Sequence, residues 1–257
     1  MRIVRYRYKN KIYWGIIRGG IIQTLKQSPF APFALKVRGV IEPGKVTILA
    51  PVVPGKIVLA GLNYKDHARE LKMKIPKEPV IFLKPSTAVI ADKDDIIYPQ
   101  GIRRLDYEAE LAVIIKQKAK NIPEKAVAKH ILGYTCLNDV TARDLQKKDG
   151  QWTRAKSFDT FCPIGPWIET DISPKNLKII CRVNGQIRQN SSTQELIFSI
   201  PRLVSFISRI MTLMPQDVIS TGTPRGVGSV KPGDWVEVEI EGIGKLRNKV
   251  VQENRRG

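Results

Sequence analysis

Glu108, Glu110 and Asp139 are the residues whose types and spacing point most directly to chemistry. In the run Leu105-Asp106-Tyr107-Glu108-Ala109-Glu110-Leu111, continued to Ile115, the odd positions are Leu, Tyr, Ala, Leu, Val and Ile. That two-residue period predicts a strand with one face on a core, and it sets Glu108 and Glu110 together on the opposite face. Side chains two apart on a strand stand roughly 7 Å from each other. Two ionised carboxylates in a partly buried cleft therefore repel unless a cation or a proton lies between them. The apolar run Ile131-Leu132-Gly133-Tyr134-Thr135-Cys136-Leu137 ends in Asn138-Asp139, and as a second strand it brings Asp139 alongside the pair. Three carboxylates without sulfur or imidazole suit a hard, oxygen-liganded ion, Mg²⁺, Mn²⁺ or Ca²⁺, with water completing its shell. A Glu-x-Glu strand alone is more often an amphipathic strand with a wet outer face, so the surrounding chain has to decide.

The elements that must position these residues read as follows. Residues 57–60 form a strand leading to Gly61, and residues 64–71 have helical composition and carry His67 and Glu70. A strand over residues 80–83 follows Pro76-Lys77-Glu78-Pro79, where the prolines hold the chain extended. After Asp139, residues 142–148 form a short helix ended by Asp149-Gly150, with Arg143 and Gln146 three apart on one side. Lys156 precedes an aromatic, proline-rich stretch through Trp167. Residues 218–221 form a strand running into Gly222-Thr223-Pro224-Arg225-Gly226, whose glycines let backbone approach a ligand. Hairpins are predicted over residues 3–8 and 12–17 around Lys9-Asn10, and over 177–183 and 186–188 around Asn184-Gly185, a type I′ turn pair. Residues 201–213 form an amphipathic helix with proline near its start. In residues 235–241, Val236, Val238 and Ile240 alternate with Glu237, Glu239 and Glu241, which read as a wet face. His130, in a helix after Pro123, reads as structural.

Pro29, Pro32 and Pro43 break the N-terminal pattern, and residues 49–55 read as a linker. The expected division is a small β unit over residues 1–50, packed on a larger unit over residues 55–257. Strands with few, scattered helices give an α+β, mainly β fold and argue against a doubly wound parallel sheet.

These residues resemble the fumarylacetoacetate hydrolase family. The resemblance runs through Gly61-Leu62-Asn63-Tyr64, His67-Ala68 and Glu70, then Glu78-Pro79-Val80-Ile81-Phe82-Leu83-Lys84-Pro85 and both carboxylate segments. It continues through Trp152, Lys156-Ser157-Phe158-Asp159-Thr160-Phe161-Cys162-Pro163-Ile164-Gly165-Pro166, Val183-Asn184-Gly185 and Gly222-Thr223-Pro224 with Gly226-Val227-Gly228. The blocks cover the chain from about residue 56 to the C-terminus, and Lys116, where many relatives carry glycine, is a small departure. The resemblance implies metal ligands at Glu108, Glu110 and Asp139 and a catalytic His67/Glu78 pair on a lid. It also implies a catalytic Lys156, with Arg143, Gln146 and Thr223 around the substrate. It further implies a mixed β-sandwich or β-roll, a homodimer, and chemistry on small 2-oxo carboxylic acids through a metal-stabilised enolate. That intermediate is shared by C–C hydrolysis of acylpyruvates or fumarylacetoacetate-like diketones and by isomerisation of 2-hydroxyhepta-2,4-diene-1,7-dioate. It is also shared by an alternative, decarboxylation of oxaloacetate-like acids or dehydration of 2-oxo sugar acids.

The 257 residues suffice for a full core. Cys136, Cys162 and Cys181 form no C-x-x-C pair and leave an odd thiol, which argues against a disulfide scaffold and fits a reducing cytoplasm. No apolar run reaches the roughly 18 residues of a membrane helix, and residues 1–9 alternate charged with apolar side chains, unlike a signal peptide. A net charge of +19 opens a second reading, a basic nucleic-acid-binding protein. The charge is dispersed over residues 2–11, 116–129, 143–156 and 245–256, with no helix-turn-helix, zinc-finger or aromatic-basic signature. It reads as a solubilising surface, a few of whose cations attract an anionic substrate.

Overall fold

Type I′ turns close the two hairpins. Lys9 and Asn10 take φ of 46° and 60°, joining strands Arg2–Tyr8 and Lys11–Arg18, and Asn184 and Gly185 take 51° and 80° between Lys178–Val183 and Gln186–Ser192. The computed structural model describes residues 1–31 and 35–254. Pro32, and Arg255 and Arg256 of the last basic stretch, lie outside the described residues.

The N-terminal hairpin continues as a meander through Ile21–Leu25 and Val37–Ile41, and Thr47–Leu49 returns to pair with Arg5, Tyr6 and Arg7. Its first strand joins the next sheet edge to edge, Arg2 opposite Glu169 and Ile3 opposite Ile168. The small unit thus extends the large sheet as well as packing on it. From that junction the sheet runs through Cys162–Glu169, Ile131–Asn138, Ala109–Ile115, Val218–Ser220, Ile57–Ala60 and Ile81–Lys84, antiparallel except where Val218–Ser220 meets Ile57–Ala60. Cys162–Glu169, a proline-rich stretch with a cis Gly165-Pro166 bond, lies at its centre.

Ala109–Ile115 is buried at every position, because both of its faces are covered. Leu111, Val113 and Ile115 pack with Ile179, Val236, Val238 and Leu246 of a five-stranded sheet, making a sandwich. Ala112 and Ile114 pack on the other side with Ile3, Ile57 and Val218. The odd positions share a core face as expected, but the even face is dry. The expected single strand is also two: Leu105–Tyr107 belongs to a small sheet with Thr141–Ala142 and Gly228–Val230, and the chain changes sheets at Glu108.

Helix Ile200–Ile210 is capped by Ser199, whose Oγ accepts from Arg202 N, and buries Ile200, Leu203, Val204 and Ile207. It stops three residues before the expected end. Residues Glu124–His130 form a 3₁₀ helix. Among the described residues no helix is long and apolar enough to cross a membrane.

Candidate active site

The switch of sheets at Glu108 leaves backbone groups that side chains must satisfy. Asn138 Oδ1 accepts from Glu108 N at 3.0 Å, Gln189 Oε1 accepts from Ala109 N at 2.9 Å, and Glu108 O accepts from Asp139 N at 2.9 Å. These bonds fix the kink, and Glu108 and Glu110 meet Asp139 at the end of Ile131–Asn138. One carboxylate oxygen from each of the three lies within 4.8 Å of the others, and all three side chains are buried.

Cations of the chain surround the cluster. Lys156 Nζ lies 3.0 Å from Glu108 Oε2 and 2.5 Å from Asp139 Oδ2. Arg143 donates to Glu108 Oε1, to Asp106 Oδ2 at 2.8 Å and to Gln146 Oε1 at 2.5 Å. Lys84, fully buried, donates to Val140 O at 2.8 Å and Phe161 O at 2.6 Å, and its Nζ is 2.8 Å from Asp139 Oδ1. Glu110 Oε2 accepts from Ser220 Oγ at 2.5 Å and Gly222 N at 2.9 Å.

Burial opposes ionisation of Glu108, but the Lys156 and Arg143 cations outweigh it and hold the carboxyl at about 2. Burial, reinforced by the charges of Asp139 and Glu108, pushes Glu110 well above the usual carboxylate range. Burial opposes the charge of Lys156, yet Asp139 and Glu108 raise its pKa, whereas at Lys84 burial prevails and lowers it. The donor set fits a hard divalent ion on two observations. Glu110 faces two carboxylates that a cation would neutralise, and Asp139 Oδ1 is buried without a hydrogen bond, because Lys84 approaches it outside hydrogen-bond geometry.

A cleft of about 410 Å³ opens onto this centre. Glu108, Arg143, Gln146, Lys156 and His67 line its inner part, and Gly61, Leu62, Val80, Phe82 and Trp152 form an apolar wall. A Cβ on Gly61 would come within 2.6 Å of the Trp152 ring, so glycine lets the indole close against the strand end.

His67 sits on helix Lys65–Glu70, and its Nδ1 is 3.0 Å from Glu70 Oε2. Glu70 in turn accepts from Gly226 N at 3.0 and 3.2 Å, while Asp66 accepts from His67 N at 2.7 Å and from Ser191 Oγ at 2.6 Å. The helix is thereby tied to a loop and to a hairpin. The expected His67/Glu78 pair is not formed: Glu78 is exposed and has no hydrogen bond or ion pair among the described residues. The i, i+3 spacing of His67 and Glu70 was the available clue.

Thr223 is buried, accepts from Gln189 Nε2 at 2.9 Å, and does not line the cleft. Lys84, Asn138, Gln189 and Ser220 support the centre without having been assigned from sequence. Only Lys84 left a local clue, a cation ending the apolar run Val80-Ile81-Phe82-Leu83 before Pro85.

Residues 56–251 match the family described as fumarylacetoacetate (FAA) hydrolase C-terminal, and residues 1–51 match the one described as Rv2993c-like, N-terminal. An uncharacterized protein of Methanocaldococcus jannaschii is 61% identical over 202 residues, covering 79% of this chain and 85% of that protein. The mitochondrial oxaloacetate tautomerase Fahd2a of Rattus norvegicus is 44% identical over 223 residues, covering 82% and 71%. Among solved structures, 5-carboxymethyl-2-hydroxymuconate delta-isomerase from Mycobacterium smegmatis superposes with a TM-score of 0.93 at 42% identity, covering 98% of this chain and all of that one. Maleylpyruvate hydrolase from Sphingobium sp. SYK-6, in complex with manganese(II) and pyruvate, superposes with a TM-score of 0.83 at 28% identity, covering 99% and 100%. The fold around the carboxylate cluster and the match over most of its length lead to one assignment: this chain belongs to the fumarylacetoacetate hydrolase family.

Proposed function

We propose that this chain is a divalent-metal-dependent enzyme of small 2-oxo carboxylic acids, working through an enolate. Its reaction is C–C hydrolysis of acylpyruvate- or fumarylacetoacetate-like compounds, or isomerisation of 2-hydroxyhepta-2,4-diene-1,7-dioate-like ones. One observation carries this reading: three buried carboxylates converge, and one of them, Glu108, lines a cleft that also presents an imidazole backed by a carboxylate. Glu108, Glu110 and Asp139 would hold Mg²⁺, Mn²⁺ or Ca²⁺, and the ion supplies Lewis-acid polarisation of a 2-oxo carbonyl. The manganese of the maleylpyruvate hydrolase complex supports that choice.

The chain's own groups do the rest. With Nδ1–H donating to Glu70, His67 keeps Nε2 as the proton acceptor, and the Glu70 carboxylate offsets the imidazolium that forms. That proton comes from the carbon beside the 2-oxo group in an isomerisation and from water in a hydrolysis. Arg143 and Lys156 offset the negative charge of the head group and of the enolate. Phe82, Trp152 and Leu62 keep water from the reacting carbon. The oxaloacetate tautomerase, delta-isomerase and maleylpyruvate hydrolase relatives are in line with a shared proton transfer. A β unit over residues 1–50, a catalytic unit over 55–257, a homodimer and a cytoplasmic location belong to the same reading.

The test uses metal-stripped protein reloaded with Mg²⁺ or Mn²⁺ and offered an acylpyruvate, oxaloacetate and a 2-hydroxydienedioate. Pyruvate, CO₂ and ultraviolet loss of the enol are followed. Metal-dependent turnover of at least one substrate is expected, together with loss of Mn²⁺ binding by electron paramagnetic resonance in the Glu108→Gln/Glu110→Gln variant. No turnover of any of them, with Mn²⁺ binding intact in that variant, overturns the reading.

A further inference from the structure

Strand Gln186–Ser192 exposes its isoleucine and buries a glutamine, the reverse of what hydropathy alone dictates. Ile187 is 55% exposed, and Gln189, two residues on, is 0% exposed. On a regular strand these two side chains would share a face. Here the strand is bulged: Gln189 pairs with Cys181 and Ile187 with Arg182, so Arg188 is the extra residue. Such a bulge re-aims the side chains beside it. A buried amide costs stability unless its polar atoms are paired, and those of Gln189 all are. Its Oε1 accepts from Ala109 N at 2.9 Å, and Nε2 donates to Thr223 Oγ1 at 2.9 Å and to Pro224 O at 2.8 Å.

These bonds reach two different halves of the site. Ala109 N belongs to the kink that presents Glu108 and Glu110, whereas Thr223 and Pro224 begin the stretch that ends at Gly226. Gly226 N donates to both carboxylate oxygens of Glu70, the partner of His67, and Gly226 O accepts from the Tyr107 hydroxyl at 3.0 Å. A Cβ on Gly226 would come within 2.3 Å of Arg188 O, so this loop rests directly on the bulge. From this arrangement we infer that Gln189 is a positioning residue that couples the carboxylate centre to the imidazole. One side chain holds the kink on one side and, through Thr223, Pro224 and Gly226, the carboxylate that orients His67 on the other. Gln189 itself does not line the cleft. The inference rests on the metal-and-imidazole reading proposed above. Without the amide, Gly226 N is free to leave Glu70, which then holds the Nδ1–H form of His67 less firmly, and the kink loses the acceptor that fixes the spacing of the carboxylates.

The chain has only two histidines, so ¹⁵N-histidine labelling gives two imidazoles to follow by NMR. His130 ends the 3₁₀ helix before Ile131–Asn138, at the end of that strand away from Asp139, and serves as the internal control. Gln189→Met keeps the length of the side chain and removes its three hydrogen bonds. Spectra are taken on the folded, metal-free protein in alkaline buffer, where free imidazole is neutral. The His67 ring nitrogens are expected to move from the pattern of a fixed Nδ1–H form to that of a tautomer mixture, with His130 unmoved. Mn²⁺ affinity, read by electron paramagnetic resonance, should fall by about tenfold, the lower end of what a lost outer partner costs a metal site. A folded variant with a lower Tm but wild-type His67 signals and Mn²⁺ affinity overturns the inference, because Gln189 would then contribute stability alone. Should Gln189→Met not fold, Thr223→Val takes away one loop bond and leaves Ala109 N its partner. The His67 signals should then move while Mn²⁺ affinity stays as in wild type, and unmoved signals overturn the coupling. Both readouts are taken without substrate, so a failed substrate screen sinks the proposed reaction and still leaves these outcomes to decide the role of Gln189.

Discussion

Replacing Lys84 by methionine tests the centre at a buried cation that stands outside the carboxylate trio. The side chain is buried completely, its ammonium satisfying two backbone carbonyls and sitting 2.8 Å from Asp139 Oδ1. Methionine has similar length but supplies neither donor nor charge, so Val140 O and Phe161 O lose a partner and Asp139 loses one of two cations. Breaking a buried pair from one side costs about 3–5 kcal/mol. Two facts place Lys84→Met at the lower end: Asp139 keeps Lys156, and burial already works against the lysine charge, so removing it recovers part of the desolvation cost. About 3 kcal/mol in a chain of this size lowers Tm by roughly 6–12 °C. The same substitution leaves the carboxylate cluster one unit more negative, so saturating Mn²⁺ should raise Tm more in the variant than in wild type. Scanning fluorimetry of both proteins, with and without Mn²⁺, reads both effects. A Tm loss below about 2 °C, or a Mn²⁺ shift no larger than in wild type, refutes the argument that Lys84 is a structural counter-charge to Asp139.

His67→Ala should keep Mn²⁺ affinity while kcat falls by roughly 10²-fold or more, the scale of a lost general base. Glu70→Gln should lower kcat more than Glu78→Gln, because Glu70 and not Glu78 holds the imidazole; the reverse order would return Glu78 to the role of partner. Glu110 is a carboxyl raised by folding above its ordinary 4.5. Its protonated form stabilises the metal-free protein fully below that value, and the contribution is lost as pH rises through the higher folded value. Bound metal takes the proton's place, so Mn²⁺ affinity should rise with pH and binding should release a proton. Calorimetry in buffers of different ionisation enthalpy measures it, and pH-independent affinity counts against it. Gly61→Ala sets a methyl 2.6 Å from the Trp152 ring and should displace the indole, raising KM several-fold with little change in Mn²⁺ binding. An unaltered KM would show that the wall can shift without cost.

The carboxylate cluster was legible because strand periodicity is local: Leu111, Val113 and Ile115 announce the core face, and two glutamates of one parity follow. What covers the other face was not legible, since Ala112 and Ile114 are buried by Ile3, Ile57 and Val218, brought from far along the chain. The kink at Glu108 carries no glycine or proline; its supports, Asn138 and Gln189, lie 30 and 80 residues from the groups they satisfy. The stretch after Lys156 through Trp167 reads only as aromatic and proline-rich, yet Cys162–Glu169 is a central strand because Arg2–Tyr8 and Ile131–Asn138 pair on its two sides. Thr223 lies in the glycine loop expected to approach a ligand, but its hydroxyl accepts from Gln189 Nε2 and the residue does not line the cleft.

The placement of the carboxylates has a consequence for how such a protein diverges. Glu108, Glu110 and Asp139 are mounted at the ends of core strands, where a substitution disturbs sandwich packing as well as chemistry. Leu71, Met73 and Lys74, by contrast, stand exposed on a connecting segment at the mouth of the same cleft. Changes there cost the fold little, since exposed positions away from buried networks usually shift stability by less than about 0.5 kcal/mol. Inheritance of the reaction and inheritance of the substrate are thereby uncoupled: descendants of one ancestor can exchange substrate tails by drift at the rim while selection holds the inner chemistry constant.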